Sequence, residues 1–258
     1  MIQRVSNHWR RRAIERFARR DFRLNNAVPF VSFTFDDFPR TALTEGGRIL
    51  LEHGGRGTYF VSFGLLESES VSGRIASLAD LAALLRDGHD LGCHTFDHLD
   101  GSLVTAADFD RSIQANRAAL QASGLDAQFE VFAYPLSGPA VATKRVAGQH
   151  FVGCRGGGQT FNRYVVDLSL LKSYFIDYRS RDNLREVASL IEANAATKGW
   201  LIFATHDVSD SPSPYGCTSA CFEEIVRLSR ASGARLLPMT HACRELGLNG
   251  SLLQTSKQ

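Results

Sequence analysis

The sequence predicts an α/β fold, a closed or nearly closed β/α barrel, and three observations carry that reading. Strand-like apolar runs alternate with amphipathic helical runs, the mark of βαβ units and a parallel sheet. Seven or eight such units fit into 258 residues, a length that single α/β barrels reach. The Gly-rich turn of an open nucleotide-binding sheet is missing, because the first strand runs into DDFPR, and no G-x-x-x-x-G-K-[ST] loop occurs.

The elements follow in order. VPFVSFTF, residues 28–35, reads as a strand, and TALTEGGRILLEHGG, 41–55, as a helix stopped by glycine. GTYFVSF, 57–63, is a strand. SLADLAALLRDG, 77–88, is a helix with Ser77 as N-cap, Asp80 at N3 and Gly88 beyond its end. HDLGC, 89–93, is a short strand, and 105–124 a helix between Thr105 and Gly124. FEVFAYP, 129–135, is a strand, followed by a short helix near 139–149. FVGCR, 151–155, and LLKSYFI, 170–176, are strands. Helix 182–199, strand WLIFATH, 200–206, helix 218–233, strand ARLLPM, 234–239, and a last short helix complete the series. No internal repeat, low-complexity tract or linker divides it, so a single domain is expected.

Hydrophobic residues make up 44% and charged residues 22% of the chain, an ordinary globular composition. No apolar run approaches a membrane span. The first 23 residues hold eight arginines against Glu15 and Asp21, a net of +6 in a chain of net +2. The rest is therefore about −4 on the same formal count. This basic arm is expected to be a helix packed on the body or on a sister subunit, with contact to an anionic membrane as the alternative. No nucleic-acid partner is expected. The start lacks the apolar core of a secretory signal, and the five cysteines, 93, 154, 217, 221 and 243, form no C-x-x-C pair. The missing signal and the odd number of cysteines point to a cytoplasmic, reducing setting.

Chemistry collects at the strand ends, which form one rim in a β/α barrel. The first strand ends in Asp36-Asp37, the third in CHTFDH with His94 and His98, and the fourth in AYP. The fifth ends in Arg155, the sixth near Asp177, and the seventh in THD with His206. In a helical turn, His94 and His98 at i and i+4 share a face and can clamp one metal ion. Two histidines and one carboxylate leave open positions for water. Along the first strand Ser32, Thr34 and Asp36 face one way and Val31, Phe33 and Phe35 the other. Bulky phenylalanines suit the helix layer, so Asp36 faces the barrel axis. One carboxylate of the pair can then bind metal while its neighbour acts as a base, and the cation relieves their repulsion.

These residues resemble the polysaccharide deacetylase family, carbohydrate esterase family 4, also called the NodB-homology domain. The family's T-F-D-D motif matches Thr34-Phe35-Asp36-Asp37, and its H-[ST]-x-x-[HD] motif matches His94-Thr95-Phe96-Asp97-His98. Its last catalytic histidine follows a late apolar strand, as His206 does. The resemblance covers about residues 28–245, leaving 1–27 as the basic arm and 246–258 as a tail. It implies a distorted (β/α)7 barrel that removes N- or O-acetyl groups from sugars with a divalent metal. Asp37, His94 and His98 would be the ligands, Asp36 the general base and His206 the general acid. Zinc is the default for mixed His/Asp ligands, with Co, Ni, Mn and Fe as alternatives.

One departure stands out. The family's third motif is commonly R-x-P-[YF]-G, with the arginine pairing the base, and Ala133 occupies that place here. Arg155, at the next strand end, is expected to substitute for it. Asp177 is the nearest match to the fourth motif. Tyr134, Pro135, Leu136, Tyr174 and Tyr215 are candidate substrate contacts, Tyr215 within the turn-rich loop DVSDSPSPYGCT, 207–218. The expected activity is deacetylation of an N-acetylated carbohydrate. A related C–N hydrolase acting on a non-sugar amide or a formyl group shares the same chemistry. An iron oxygenase also uses two histidines and a carboxylate but has no use for the second aspartate, and a non-catalytic sugar binder has no use for the whole set.

Overall fold

The protein, a computed structural model, is described over residues 10–136, 138–179 and 183–249. Residues 1–9 of the arm and 250–258 of the tail lie outside this range.

Eight strands build the main sheet: β1 (Phe30–Phe35), β2 (Gly57–Val61), β3 (Asp90–Cys93), β4 (Val131–Ala133), β5 (Gly153–Arg155), β6 (Tyr174–Phe175), β7 (Trp200–Thr205) and β8 (Arg235–Leu236). Seven lie in the order β6-β7-β1-β2-β3-β4-β5, all parallel, and β8 pairs with the first two residues of β1. Helices α1 (Arg48–Glu52), α2 (Leu78–Arg86), α3 (Ala106–Ala122), α4 (Val141–His150), α5 (Leu184–Ala196), α6 (Ser219–Ala231) and α7 (Met239–Glu245) fill the crossovers and close the end of the chain.

This is the predicted seven-stranded barrel architecture, and its distortion has a local cause. The expected strand 170–176 is paired as a strand only at Tyr174–Phe175. The Asn162 carboxamide captures both backbone groups of Lys172, accepting its N–H at 2.8 Å and donating to its carbonyl at 2.8 Å. Those groups are then lost to any neighbouring strand. The preceding stretch instead lies against β5 through Cys154 N–H to Leu168 O and Leu171 N–H to Cys154 O, both 2.8 Å. An irregular segment, not an eighth parallel strand, spans the gap between β5 and β6.

Period-two alternation sorts the side chains. Val31, Phe33, Phe35, Tyr59, Phe132, Leu201 and Phe203 face the helices and pack with Phe222, Ile225 and Ile113. Phe30, Phe60, Val131, Ala133, Trp200 and Ile202 face the barrel interior, which Met239 and Cys243 of α7 close from below. At Gly92 a Cβ would sit 2.3 Å from the Phe60 ring, so glycine is what lets that ring fill the interior.

Helix ends follow the sequence signals. Ser77 and Asp80 form a reciprocal capping box on α2, Thr105 caps α3, and Gly88 and Gly124 turn the chain at φ +79 and +73. The predicted helix 41–55 differs in its first half, where Ala42–Gly47 is a π-helical turn. A Cβ on Gly46 or Gly47 would lie 2.8 Å from the Phe35 ring or 2.9 Å from the Tyr59 hydroxyl, so this turn can press on the rings only with glycine.

The arm is built into the body. Residues 10–16 are helical, and Asp21–Arg23 pairs antiparallel with Val165–Asp167. Lys144, fully buried in α4, donates to the carbonyls of Ile14 (2.5 Å) and Phe17 (2.9 Å) and to Asp167 (2.6 Å). Arg20 reaches under the irregular segment to Ser169 Oγ at 2.9 Å.

Candidate active site

The inward face of the strand ends delivers the site. Asp36 follows β1 in phase with Ser32 and Thr34, and Asp37 then takes φ 60 and Phe38 φ 57. Left-handed backbone is costly for non-glycine residues and gathers at functional sites. Here it swings Asp37 back over the mouth beside Asp36, which is how two neighbouring carboxylates reach one site.

After β3 the chain does not form the helical turn expected for the histidine pair. Thr95 (φ 61) and His98 (φ 53) are left-handed, and residues 94–98 contain no helix. The loop is fixed instead by α3: Ser112 Oγ donates to Asp97 at 2.8 Å and accepts the Phe96 N–H at 3.0 Å. The two imidazoles still converge, with ring centroids 5.0 Å apart.

Asp37 Oδ1 lies 3.0 Å from His98 Nε2 and 3.6 Å from His94 Nε2. Among the described residues these three form the one His/Cys/Asp/Glu group whose ligand atoms lie within 4.8 Å of one another. His94 Nδ1 is 2.8 Å from the Ala133 carbonyl. A carbonyl only accepts, so Nδ1 carries the proton and Nε2 turns a lone pair toward Asp37. Burial pushes the His94 pKa down to about 4, the neutral form a ligand requires. Burial opposes ionisation of Asp37, but the close approach of His98 and the charges of His94, His98 and His206 outweigh it and hold the pKa well below the usual carboxylate range. His98 is displaced upward: burial works against the shift, and the nearby Asp37 carboxylate overcomes it. Asp37 Oδ1 is buried yet receives no well-formed hydrogen bond. An orphaned carboxylate oxygen facing two imidazole nitrogens fits a divalent cation.

Asp36 forms a buried ion pair with Arg155, whose Nη2 donates to Oδ1; the residues are 4% and 1% exposed. The guanidinium sits between aromatic rings, its Cζ 5.2 Å from the Phe60 centroid and 5.3 Å from that of Phe175. Arg155 is the register partner of Ala133 on the adjacent strand, so it stands at the same level, one strand over. His206 Nε2 lies 3.8 Å from Asp37 Oδ2, and its Nδ1 is buried without a hydrogen-bond partner.

These groups open into a cleft of about 470 Å³, the size of a small-molecule site. Tyr134, Leu136 and Tyr215 border it. The Tyr134 ring packs on Phe132 and its hydroxyl donates to Ser169 O at 2.9 Å, so this tyrosine turns its polar end away. Leu136 (φ 55) is 71% exposed on the rim. Pro135 is buried and does not line the cleft. Tyr174 is not brought to it either: its ring packs edge-on against Phe203 in the helix-facing core, and its neighbour Phe175 is the cleft residue. Asp177 lines the cleft and pairs with Arg179.

A wall that sequence reasoning missed comes from the hairpin Glu69–Ser70 and Gly73–Arg74, which adds Ser70, Val71 and Ser72 to the lining. Ser72 Oγ meets Ser213 Oγ at 3.3 Å. Ser213 is held by Asp207, donating from its amide (2.7 Å) and hydroxyl (2.5 Å). Ser213 Oγ in turn accepts the Tyr215 N–H at 3.1 Å, and the Tyr215 ring lies 5.5 Å from that of His206. A Cβ on Gly216 would fall 2.3 Å from the Asp207 carbonyl, so the loop closes this tightly only with glycine there.

The sequence model of the family described as Polysaccharide deacetylase matches residues 24–152. No curated protein matches this chain. Solved structures share the fold. A family 4 acetyl xylan esterase from Clostridium thermocellum with a cobalt ion is 18% identical, with a TM-score of 0.58 over 85% of this chain and 93% of that one. A family 4 carbohydrate esterase from Streptomyces lividans in complex with acetate is 16% identical, TM-score 0.52, over 80% and 90%. A family 4 pseudoenzyme from Bacillus anthracis is 11% identical, TM-score 0.54, over 85% and 67%.

Proposed function

This chain belongs to the polysaccharide deacetylase family, and we propose on that premise that it is a metal-dependent hydrolase removing acetyl groups from an N-acetylated carbohydrate. The observation that carries the proposal is the shared mouth: Asp36, anchored by Arg155, stands beside the Asp37–His94–His98 group with His206 next to Asp37.

Asp37, His94 and His98 would hold one divalent ion, which when bound acidifies water and polarises the acetyl carbonyl. Zinc suits the mixed nitrogen and oxygen donors, and Co, Ni, Mn and Fe share that ligand chemistry. Asp36 accepts the proton of the attacking water, and Arg155 keeps that carboxylate aimed. His206 Nε2 donates a proton to the departing amine. The Ala133 carbonyl holds the tautomer of His94. Tyr215 and Leu136 offer apolar surface to a sugar ring. A formyl or non-sugar amide substrate would use the same groups. An oxygenase would leave Asp36, Arg155 and His206 without a role. The neighbouring pseudoenzyme makes turnover itself a point to test. Five free, buried cysteines support a reducing compartment for the reaction.

The experiment is an acetate-release screen on N-acetylated sugars with each divalent metal in turn. Metal-loaded protein that releases no acetate from any of them overturns the reading, and formate release from N-formyl substrates moves it to the alternative.

A further inference from the structure

The helix of residues 10–16 has one side fixed and one side free. Ile14 packs against the core, and the buried Lys144 holds the carbonyls of Ile14 and Phe17. A cation at the C-terminal end of a helix is also favoured by the helix dipole. The orientation of the arm is therefore set, and Arg11, Arg12 and Arg16 point to solvent. Arg23 and Arg163 are exposed on the paired strands beside it. Among the described residues none of these five makes an ion pair. The two acids of this face are already engaged, Glu15 with Lys172 at 3.0 Å and Asp21 with Arg19 at 2.6 Å.

Three large apolar side chains stand out among these cations. Phe17 is 54% exposed, Tyr164 61% and Val165 47%. Val165 is the register partner of Arg23, and Arg163 lies over the Tyr164 ring at 5.6 Å. A solvated salt-bridged surface would interleave acids with its arginines and would not group exposed phenylalanine, tyrosine and valine among them. A phosphate backbone would be met by the arginines alone. Cations alternating with aromatic and aliphatic groups match a surface that is anionic outside and apolar a few ångströms beneath.

We propose that this face docks the protein on an anionic phospholipid membrane. The arginines provide long-range attraction to the headgroups, and Phe17, Tyr164 and Val165 enter the interface. No helix of the described residues is long and apolar enough to cross a membrane, so the contact is peripheral. The inference does not depend on the reaction the cleft performs.

The test is co-sedimentation of the full chain with phosphatidylcholine vesicles, with and without phosphatidylglycerol, across a salt series. Binding is expected only with phosphatidylglycerol and is expected to weaken with salt. The triple substitution Arg11→Gln, Arg12→Gln, Arg16→Gln should lower partitioning by roughly 100-fold, about fivefold per arginine. Phe17→Ser with Tyr164→Ser should lower it further without altering the salt slope. All five positions are exposed, so circular dichroism should match wild type. Deleting the arm is avoided, because it would strip Arg20 and Asp21–Arg23 from the barrel. Absence of binding to phosphatidylglycerol vesicles, or binding that survives the triple substitution, overturns the proposal. Equal binding to duplex DNA together with no effect of the Phe17 and Tyr164 changes overturns it in favour of a general polyanion site.

Discussion

Arg155 and Asp36 meet inside the barrel although 119 residues separate them and their strands stand third and seventh in the sheet order. Neither reaches the other along the sheet; both side chains cross the interior. The pair is cut off from solvent, where attraction between charges is strong and an unpaired charge is expensive.

Arg155→Ala should therefore destabilise the fold by roughly 3–5 kcal/mol, the cost of stranding a buried carboxylate. Arg155→Met combined with Asp36→Leu should recover much of that stability while remaining inactive. Denaturant melts of the single and double variants decide the matter. Equal stability of Arg155→Ala and wild type would contradict the buried pair.

His98→Ala should lose tightly held metal, since Asp37 and His94 alone make a poor site. Chelation should lower the melting temperature of the wild type, because an ion bound only by the folded state adds to stability. The same treatment should leave His98→Ala unchanged. Elemental analysis and thermal melts, neither of which needs a substrate, report both outcomes.

Ser213→Ala removes the hydroxyl that joins Asp207, Tyr215 and the Ser72 hairpin. The cleft wall should loosen while the reacting groups stay in place. On the proposed reading, KM for an N-acetylated sugar should rise several-fold and kcat on a small aryl acetate should hold. Tyr215→Ala should behave alike. A kcat loss equal on both substrates would mean that the loop positions His206, not the sugar.

His89 gives a pH prediction remote from the cleft. Burial first, and the neighbouring Arg56 second, lower its pKa from 6.5 to about 4. Its Nδ1 accepts the Gly57 N–H at 2.9 Å and must be unprotonated to do so. The unfolded chain takes up the proton below pH 6.5 and the folded chain only near 4, so stability is full above 6.5 and is lost as pH falls toward 4. The loss attributable to this residue is roughly 3 kcal/mol. His89→Gln should flatten the difference in stability between pH 7 and pH 4 by about that amount, read by denaturant titration at each pH.

What the sequence discloses is governed by periodicity. Asp36, His94, Arg155 and His206 all continue the inward phase of long or well-bounded strands, and alternation plus the rim argument brings them together. Tyr174 fails for the same reason: its strand is interrupted at Lys172 by the Asn162 side chain, and one step of phase exchanges Tyr174 for Phe175. The 69–74 hairpin has strands of two residues, too short for any period, and only Gly73, at φ 99, hints at its turn. The π-helical turn is equally hidden, because its glycines answer to rings on other elements. The i, i+4 spacing of His94 and His98 suggests a helical turn, whereas left-handed residues bring the two together.

The strap formed by Arg20 and Asp21–Arg23 has a consequence for how the chain is made. Arg20 bonds to Asp167 and Ser169, 147 and 149 residues downstream. At about 5–20 residues per second, a ribosome has its first-made segment waiting roughly 7–30 s for a partner. Throughout that interval the arginine-rich arm is tethered but undocked, and Lys144, once made, waits 23 residues more for Asp167. The arm can thus be seated before β1 finds its own later partners, β7 and β8, and whatever engages it during synthesis competes directly with that docking.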